Sequence, residues 1–215
     1  MQAAHTLVDT MRALVVRGLT TGTAGNASVR TGNGMLITPS GVEPEQLKPD
    51  SMVSMSLAGV TDDGPLKPSS EWQLHAAVYA SRPDVDAIVH CHSRYATALA
   101  CLHQAIPAFH YMIAVAGGDS IRCAPYATFG TEALATNALA ALTDRKACLL
   151  GNHGQIACGS DLNDALNVAT EVEVLAAQYI IALQTGTPIL LERDEMDRVI
   201  AKFSHYGQPQ ARADD

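Results

Sequence analysis

Along residues 3–17, Leu7, Met11, Leu14 and Val15 recur at helical spacing, so the chain opens on an amphipathic helix. Positions 27–30 and 35–38 read as short strands joined by the hairpin-type turn Thr31-Gly32-Asn33-Gly34. Residues 51–57 alternate weakly and predict a further strand, followed by a polar turn over 61–68. Ser70 and Gln73 have capping-box spacing, which predicts a helix from there to about Ala80 with Glu71 in its first turn. Residues 87–92, Ala-Ile-Val-His-Cys-His, read as a strand, and 95–102 as a helix. The stretch 108–112 is apolar with two polar tips, and 124–128 is a short strand or loop. Residues 131–142 are helical, and 146–150 and 155–158 are strands around the turn Gly151-Asn152-His153-Gly154. A long helix follows, capped by Ser160 or Asp161, running to Gln184 and ended by Gly186. Its apolar stripe is Val172, Leu175, Ala176, Tyr179, Ile180 and Leu183. The last helix covers about 195–203 with Asp194 as its cap, and 208–215 reads as a loose tail.

Strands and helices interleave, with several hairpin-length turns. The pattern fits an α/β fold, an α/β/α sandwich with a mixed, mainly antiparallel central sheet. No repeat, low-complexity run or linker interrupts it, so residues 1–215 are expected to form a single domain.

With 215 residues, 47% hydrophobic and 17% charged, the chain can bury a substantial core. No apolar run reaches the roughly 18 residues that a membrane span needs. The first residues have no basic segment ahead of a compact apolar block, so they are not read as an export signal. Five cysteines without CxxC pairing suggest reduced thiols in the cytoplasm. A net charge of −8 argues against a nucleic-acid partner. An anionic small molecule would have to be held by N–H groups, hydroxyls or a metal instead.

The candidate chemistry centres on the stretch 69–92. His90 and His92 are two apart on a strand and so share a face, while Cys91 points the other way. Neutral imidazole is the commonest protein metal ligand, and a catalytic zinc site has three protein ligands and an open position. His153 lies at a strand end beside glycines, a place from which a side chain can be aimed into a site. Glu171 and Glu173 on the long helix read as solvated or paired. The loop 19–26 offers hydroxyls, an amide and glycines that let backbone approach a ligand. The predicted helix start behind Ser69 and Ser70 is a ready anion site.

Thr23-Ala24-Gly25-Asn26, Thr38-Pro39-Ser40-Gly41, Ser69-Ser70-Glu71-Trp72, His90-Cys91-His92, residues 106–128 and Asn152-His153-Gly154 occur in this order and at these intervals. In this the chain resembles the class II aldolase/adducin family, from the first helix to Tyr206-Gly207. The resemblance implies metal-dependent cleavage of a ketose 1-phosphate to dihydroxyacetone phosphate and an aldehyde. The candidate substrates are L-fuculose 1-phosphate and related deoxy- or methylthio-ribulose 1-phosphates. It implies that His90, His92 and His153 bind one divalent metal, most often Zn²⁺ with Mn²⁺ or Co²⁺ as alternatives. Glu71 is then a fourth ligand or the released base. It further implies that Asn26, Ser40, Gly41, Ser69 and Ser70 hold the substrate phosphate, with Thr23 close by. Tyr111 would reach toward a neighbouring subunit's site, and Tyr206 would act as a mobile C-terminal tyrosine. The assembly implied is a four-fold symmetric homotetramer with its sites at subunit interfaces. Lys48, Lys67 and Lys146 match no Schiff-base role of the family, and Lys202 lies near the tail. The same fold and metal site also serve a sugar-phosphate dehydratase, a decarboxylase and a 4-epimerase, the last tending to carry Asp where Glu71 stands. A non-catalytic adducin-like scaffold lacks the metal histidines.

Overall fold

The computed structural model describes residues 2–62 and 64–203. Its centre is a seven-stranded sheet in the order β3-β2-β1-β4-β7-β6-β5. The strands are β1 (Asn26–Thr31), β2 (Gly34–Ile37), β3 (Val53–Ser56), β4 (Ala87–Cys91), β5 (Cys123–Ala124), β6 (Ala147–Leu150) and β7 (Gly154–Gly159). Every neighbouring pair is antiparallel except β5 with β6, which is parallel, so the sheet is mixed and mainly antiparallel as the pattern predicts.

The helices are α1 (Gln2–Val16), α2 (Trp72–Ser81), α3 (Arg94–Cys101), α4 (Glu132–Ala141), α5 (Leu162–Thr185) and α6 (Arg193–Phe203). Two apolar clusters lie on the two faces of the sheet, because side chains alternate along each strand. Ala87, Val89 and Cys91 of β4 pack with Leu7 and Met11 of α1, Leu99 of α3, and Val172 and Leu175 of α5. Ile88 packs on the other face with Leu74 and Val78 of α2 and Leu134 and Ala138 of α4. The 24-residue α5 meets the length and composition of a membrane-crossing helix, yet its stripe from Leu162 to Tyr179 lies in the first of these clusters.

Several local expectations shift. The Ser70–Gln73 capping box does not form: α2 begins at Trp72, and it is the Ser69 hydroxyl that accepts from the Glu71 N–H, at 3.3 Å. An antiparallel bridge between Pro39 and Pro68 holds the chain extended just before this point, which delays the helix. Residues 51–57 divide into a 3₁₀ turn at Pro49–Ser51 and the short β3. The apolar stretch after 108 becomes a 3₁₀ helix, Tyr111–Ala116. Asp161, not Ser160, caps α5, accepting from the Asp164 N–H at 2.8 Å. Gly186 ends α5 in extended backbone, φ 166°, and not in a left-handed cap. Arg193 starts α6, so Asp194 sits inside its first turn. The tail at 208–215 lies outside the described residues.

Candidate metal centre

β4 is central, between β1 and β7, and its register sets Asn26 and Ile156 opposite His90. His90 lies on the strand face that α2 covers, and His92 follows just beyond the strand end. The turn that leads into β7 carries His153. The N-cap of α2 carries Glu71. Three separate segments thus deliver four side chains to a single point.

There His90 Nε2 lies 3.0 Å from His92 Nε2 and 3.0 Å from Glu71 Oε2, and His153 Nε2 lies 3.3 Å from Glu71 Oε1. All four ligand atoms fall within 4.8 Å of one another. The three rings meet edge to face, with centroids 4.7 to 4.9 Å apart. His90 Nδ1 stands 2.8 Å from the Gln155 carbonyl oxygen. That oxygen can only accept, so Nδ1 carries a proton and the Nε2 lone pair of the neutral ring faces the centre. Lone pairs on His90 and His92 at that separation repel unless a proton or a cation lies between them. Glu71 Oε1 is buried and, among the described residues, accepts no hydrogen bond, with His153 Nε2 at 3.3 Å its facing ring nitrogen. Ligands of a tetrahedral zinc site lie about 3.3 Å from one another. The donor set and its spacing therefore fit a divalent cation.

The electrostatics agree. Burial by itself would raise the Glu71 carboxyl, but His90, His153 and the Asn26 amide together hold it well below the usual carboxylate range. Burial opposes charge on His90, yet the Glu71 carboxylate and the Gln155 carbonyl lift it above 6.5. Burial and the neighbouring His90 push His92 and His153 down to about 4. One positive charge is thus accommodated at the centre, facing one carboxylate.

A cavity of about 330 Å³ opens beside these groups. Thr23, Asn26, Ser40, Gly41, Ser69 and Ser70 line it together with Glu71, His92 and His153. No Lys or Arg is among the described residues that line it. The two hydroxyl loops are tied together: Ser40 N–H donates to the Lys67 carbonyl and Ser69 N–H to the Thr38 carbonyl, each at 3.0 Å. Gly25 has φ 86°, and a Cβ there would stand 2.9 Å from the His90 carbonyl oxygen, so only glycine lets the first loop close onto β4.

Residues 5–180 match the profile of the class II aldolase and adducin N-terminal domain. The chain belongs to this family. The chain is 53% identical over 203 residues to a 5-methylthioribulose-1-phosphate/5-deoxyribulose-1-phosphate aldolase of Rhodospirillum rubrum, covering 94% of this chain and 91% of the relative. It is 49% identical over 205 residues to the L-fuculose phosphate aldolase of Escherichia coli strain K12, covering 95% of each. A solved L-fuculose 1-phosphate aldolase superposes with a TM-score of 0.92 at 43% identity, over 94% of this chain and 96% of that one. The fold is that of the class II aldolases.

Within this aldolase-family fold, the structure brings together Glu71, His90, His92 and His153, and sets the six candidate phosphate residues along one cavity. Tyr111 is not among the residues lining it: the ring is half-exposed on the 3₁₀ helix, stacked on His110 and 6.5 Å from Phe203. Tyr206 lies outside the described residues. Tyr126 and Phe129, not singled out from sequence, line the cavity as exposed aromatics. Glu173 is paired: its two oxygens accept from the Tyr95 and Ala96 N–H groups at the start of α3.

Sequence reading also missed a buried polar row. Asn26 Nδ2 donates to Glu71 Oε2 at 3.0 Å, and Asn26 Oδ1 meets His75 Nε2 at 2.6 Å. Ser28 Oγ meets His75 Nδ1 at 2.6 Å and Tyr79 Oη at 2.8 Å. The signal was available: Asn26, Ser28 and Arg30 are polar at alternate positions of a central strand, where an apolar face is the rule.

Proposed function

We propose that this protein is a metal-dependent aldehyde-lyase that cleaves a ketose 1-phosphate to dihydroxyacetone phosphate and an aldehyde. The observation that carries this reading is the convergence of three imidazoles and one carboxylate, of which Glu71, His92 and His153 line a cavity shared with hydroxyls and glycines while His90 lies buried beside them. His90, His92 and His153, with Glu71 alongside, would hold one divalent cation, zinc by the nature of the donors. When bound, that cation supplies Lewis-acid stabilisation of the negative charge that carbon–carbon cleavage leaves on the substrate, worth several kcal/mol of barrier.

The chain's own groups supply the rest. Ser40, Ser69, Ser70, Thr23 and the backbone at Gly41 and Asn26 hold the phosphate by hydroxyl and N–H donors, which suits an acidic protein. Cleavage takes a proton from the C4 hydroxyl, breaks the C3–C4 bond and puts a proton on C3; Glu71 delivers that last proton and, ionised again, takes it back in the reverse condensation. Tyr111, half-exposed on its own subunit, handles the proton on the C4 oxygen in a neighbouring one. Tyr206 influences the stereochemistry of the reaction, the role the family resemblance implies for it. This division of labour needs a homotetramer with sites at its interfaces. The 215 residues act as a single domain of the family, in a reducing cytoplasm that keeps the five free cysteines as thiols.

The named relatives support L-fuculose 1-phosphate and 5-deoxy- or 5-methylthio-ribulose 1-phosphate as the substrates to test. The assay is dihydroxyacetone phosphate release from each. Release from at least one of them, abolished by a chelator, is the expected result. No release from any, with CO₂ evolved from a phosphorylated oxo-acid instead, would replace the aldolase by a decarboxylase.

A further inference from the structure

The buried polar row is a zipper between α2 and β1. Glu71, His75 and Tyr79 are spaced by four along α2 and its N-cap, while Asn26, Ser28 and Arg30 are spaced by two along β1. Four residues of helix advance about 6 Å and two residues of strand about 6.6 Å, so the two series stay in step. The side chains interleave in the order Glu71, Asn26, His75, Ser28, Tyr79, Arg30, the last with its guanidinium 4.8 Å above the Tyr79 ring. The members from Glu71 to Tyr79 are all buried, His75 and Ser28 completely.

The direction of every hydrogen bond in this row follows from one end. An ionised carboxylate can only accept, so Asn26 turns its NH₂ to Glu71 and its oxygen to His75. That oxygen requires a proton on His75 Nε2, which leaves Nδ1 of the neutral ring as an acceptor. Ser28 must then donate to Nδ1 and accept from the Tyr79 hydroxyl. All the donors point toward Glu71. A chain aligned in one sense polarises along its length, and a buried group that loses its partner is costly.

We propose that Asn26, His75, Ser28 and Tyr79 form a one-directional hydrogen-bond chain that fixes the rotamer of Glu71 and delivers its carboxylate to the metal centre. His75 is a positioning residue: it touches neither substrate nor cation and acts through Asn26. Asn26 accordingly has a second task besides lining the phosphate pocket. The inference rests on the aldolase reading for its kinetic arm and on the donor geometry alone for its metal arm.

The test compares the metal-loaded wild type with His75→Gln, His75→Leu and Ser28→Ala. Zn²⁺ affinity is measured by competition with a chromophoric chelator, and kcat and KM on the cleaved ketose 1-phosphate. Glutamine places an N–H close to where Nε2–H lies, so His75→Gln keeps both metal affinity and kcat within about threefold of wild type. His75→Leu and Ser28→Ala lose about 10- to 100-fold in Zn²⁺ affinity or kcat, the usual range for groups that orient a metal ligand, with KM within about twofold. Wild-type affinity and kcat in both of those variants would overturn the proposal, as would equal damage in His75→Gln and His75→Leu. If His75→Leu does not fold, Ser28→Ala, which removes a single hydroxyl, decides. If the wild type cleaves no ketose 1-phosphate, the functional reading fails, and the Zn²⁺ affinities still decide this inference.

Discussion

Gly154 lies against His92 so closely that a side chain has no room: a Cβ at Gly154 would stand 2.9 Å from His92 Cδ2 and 2.5 Å from the Cys91 carbonyl oxygen. The first residue of β7 thus backs the imidazole at the end of β4. Gly154→Ala must move backbone or ring. The expected cost is about 1–3 kcal/mol of stability, as for other overpacked sites, read by denaturant unfolding, together with weaker Zn²⁺ binding. Unchanged binding in a folded Gly154→Ala would show that the His92 position tolerates displacement.

Glu173 replaces a local N-cap on α3. The N-cap residue Ser93 makes no side-chain capping bond, because its hydroxyl accepts from Gln155 Nε2 at 2.7 Å. The Glu173 carboxylate on α5 accepts from both Tyr95 and Ala96 N–H groups, at 2.9 Å each. Glu173→Ala should cost about 1–2 kcal/mol, the range of a lost cap, in chemical denaturation. Because α3 follows directly on His92, metal affinity is a second readout.

The protonation states give a count. His92 and His153, pushed down to about 4, are neutral near pH 6, whereas His90 is lifted above 6.5 and carries a proton there without metal. A cation must displace that proton, so affinity falls as pH drops through the His90 pKa. On its acid side, down to about pH 5, binding should release about one proton per cation. Calorimetry in two buffers of different ionisation heat measures this number. A release of three would mean that all the imidazoles start protonated.

The linkage for stability has two signs. The raised His90 contributes stability to the metal-free protein that is complete below 6.5 and is lost as pH rises through its folded pKa. The buried His75, pushed down to about 3, folds only as the neutral ring, so its contribution fades as pH falls from 6.5 toward 3. The metal-free protein should therefore lose stability on both sides of pH 6.5, measured by unfolding across pH.

Glu71→Gln keeps the shape of the side chain and removes its basicity. Turnover should fall by about 100-fold or more, the scale of a lost general base, while the three histidines retain the cation. Normal turnover in this variant would place the base elsewhere.

Much of this site was legible in sequence because strand periodicity alone puts His90 and His92 on one face, with Cys91 turned into the opposite cluster. The interleaving of short strands and helices likewise gave the mixed sheet. What sequence could not supply was which helix lies over that face. Without α2 seated on β1, neither the direction of His153 nor the step-matched row from Glu71 to Tyr79 can be deduced. The Ser70–Gln73 spacing misled because tertiary pairing at Pro39 and Pro68 outweighed a local capping preference. Glu173 read as solvated or paired, and the structure shows it paired; which partners it takes could not be read, because they are backbone groups 78 and 77 positions away.

The most direct test is the rate of dihydroxyacetone phosphate release measured against bound metal, for the wild type and His153→Ala. Activity should rise in proportion to cation up to one per chain, vanish on chelation and return on re-addition. His153→Ala should bind weakly and stay slow. Cleavage at an undiminished rate by protein stripped of metal would contradict a reaction built on these four side chains.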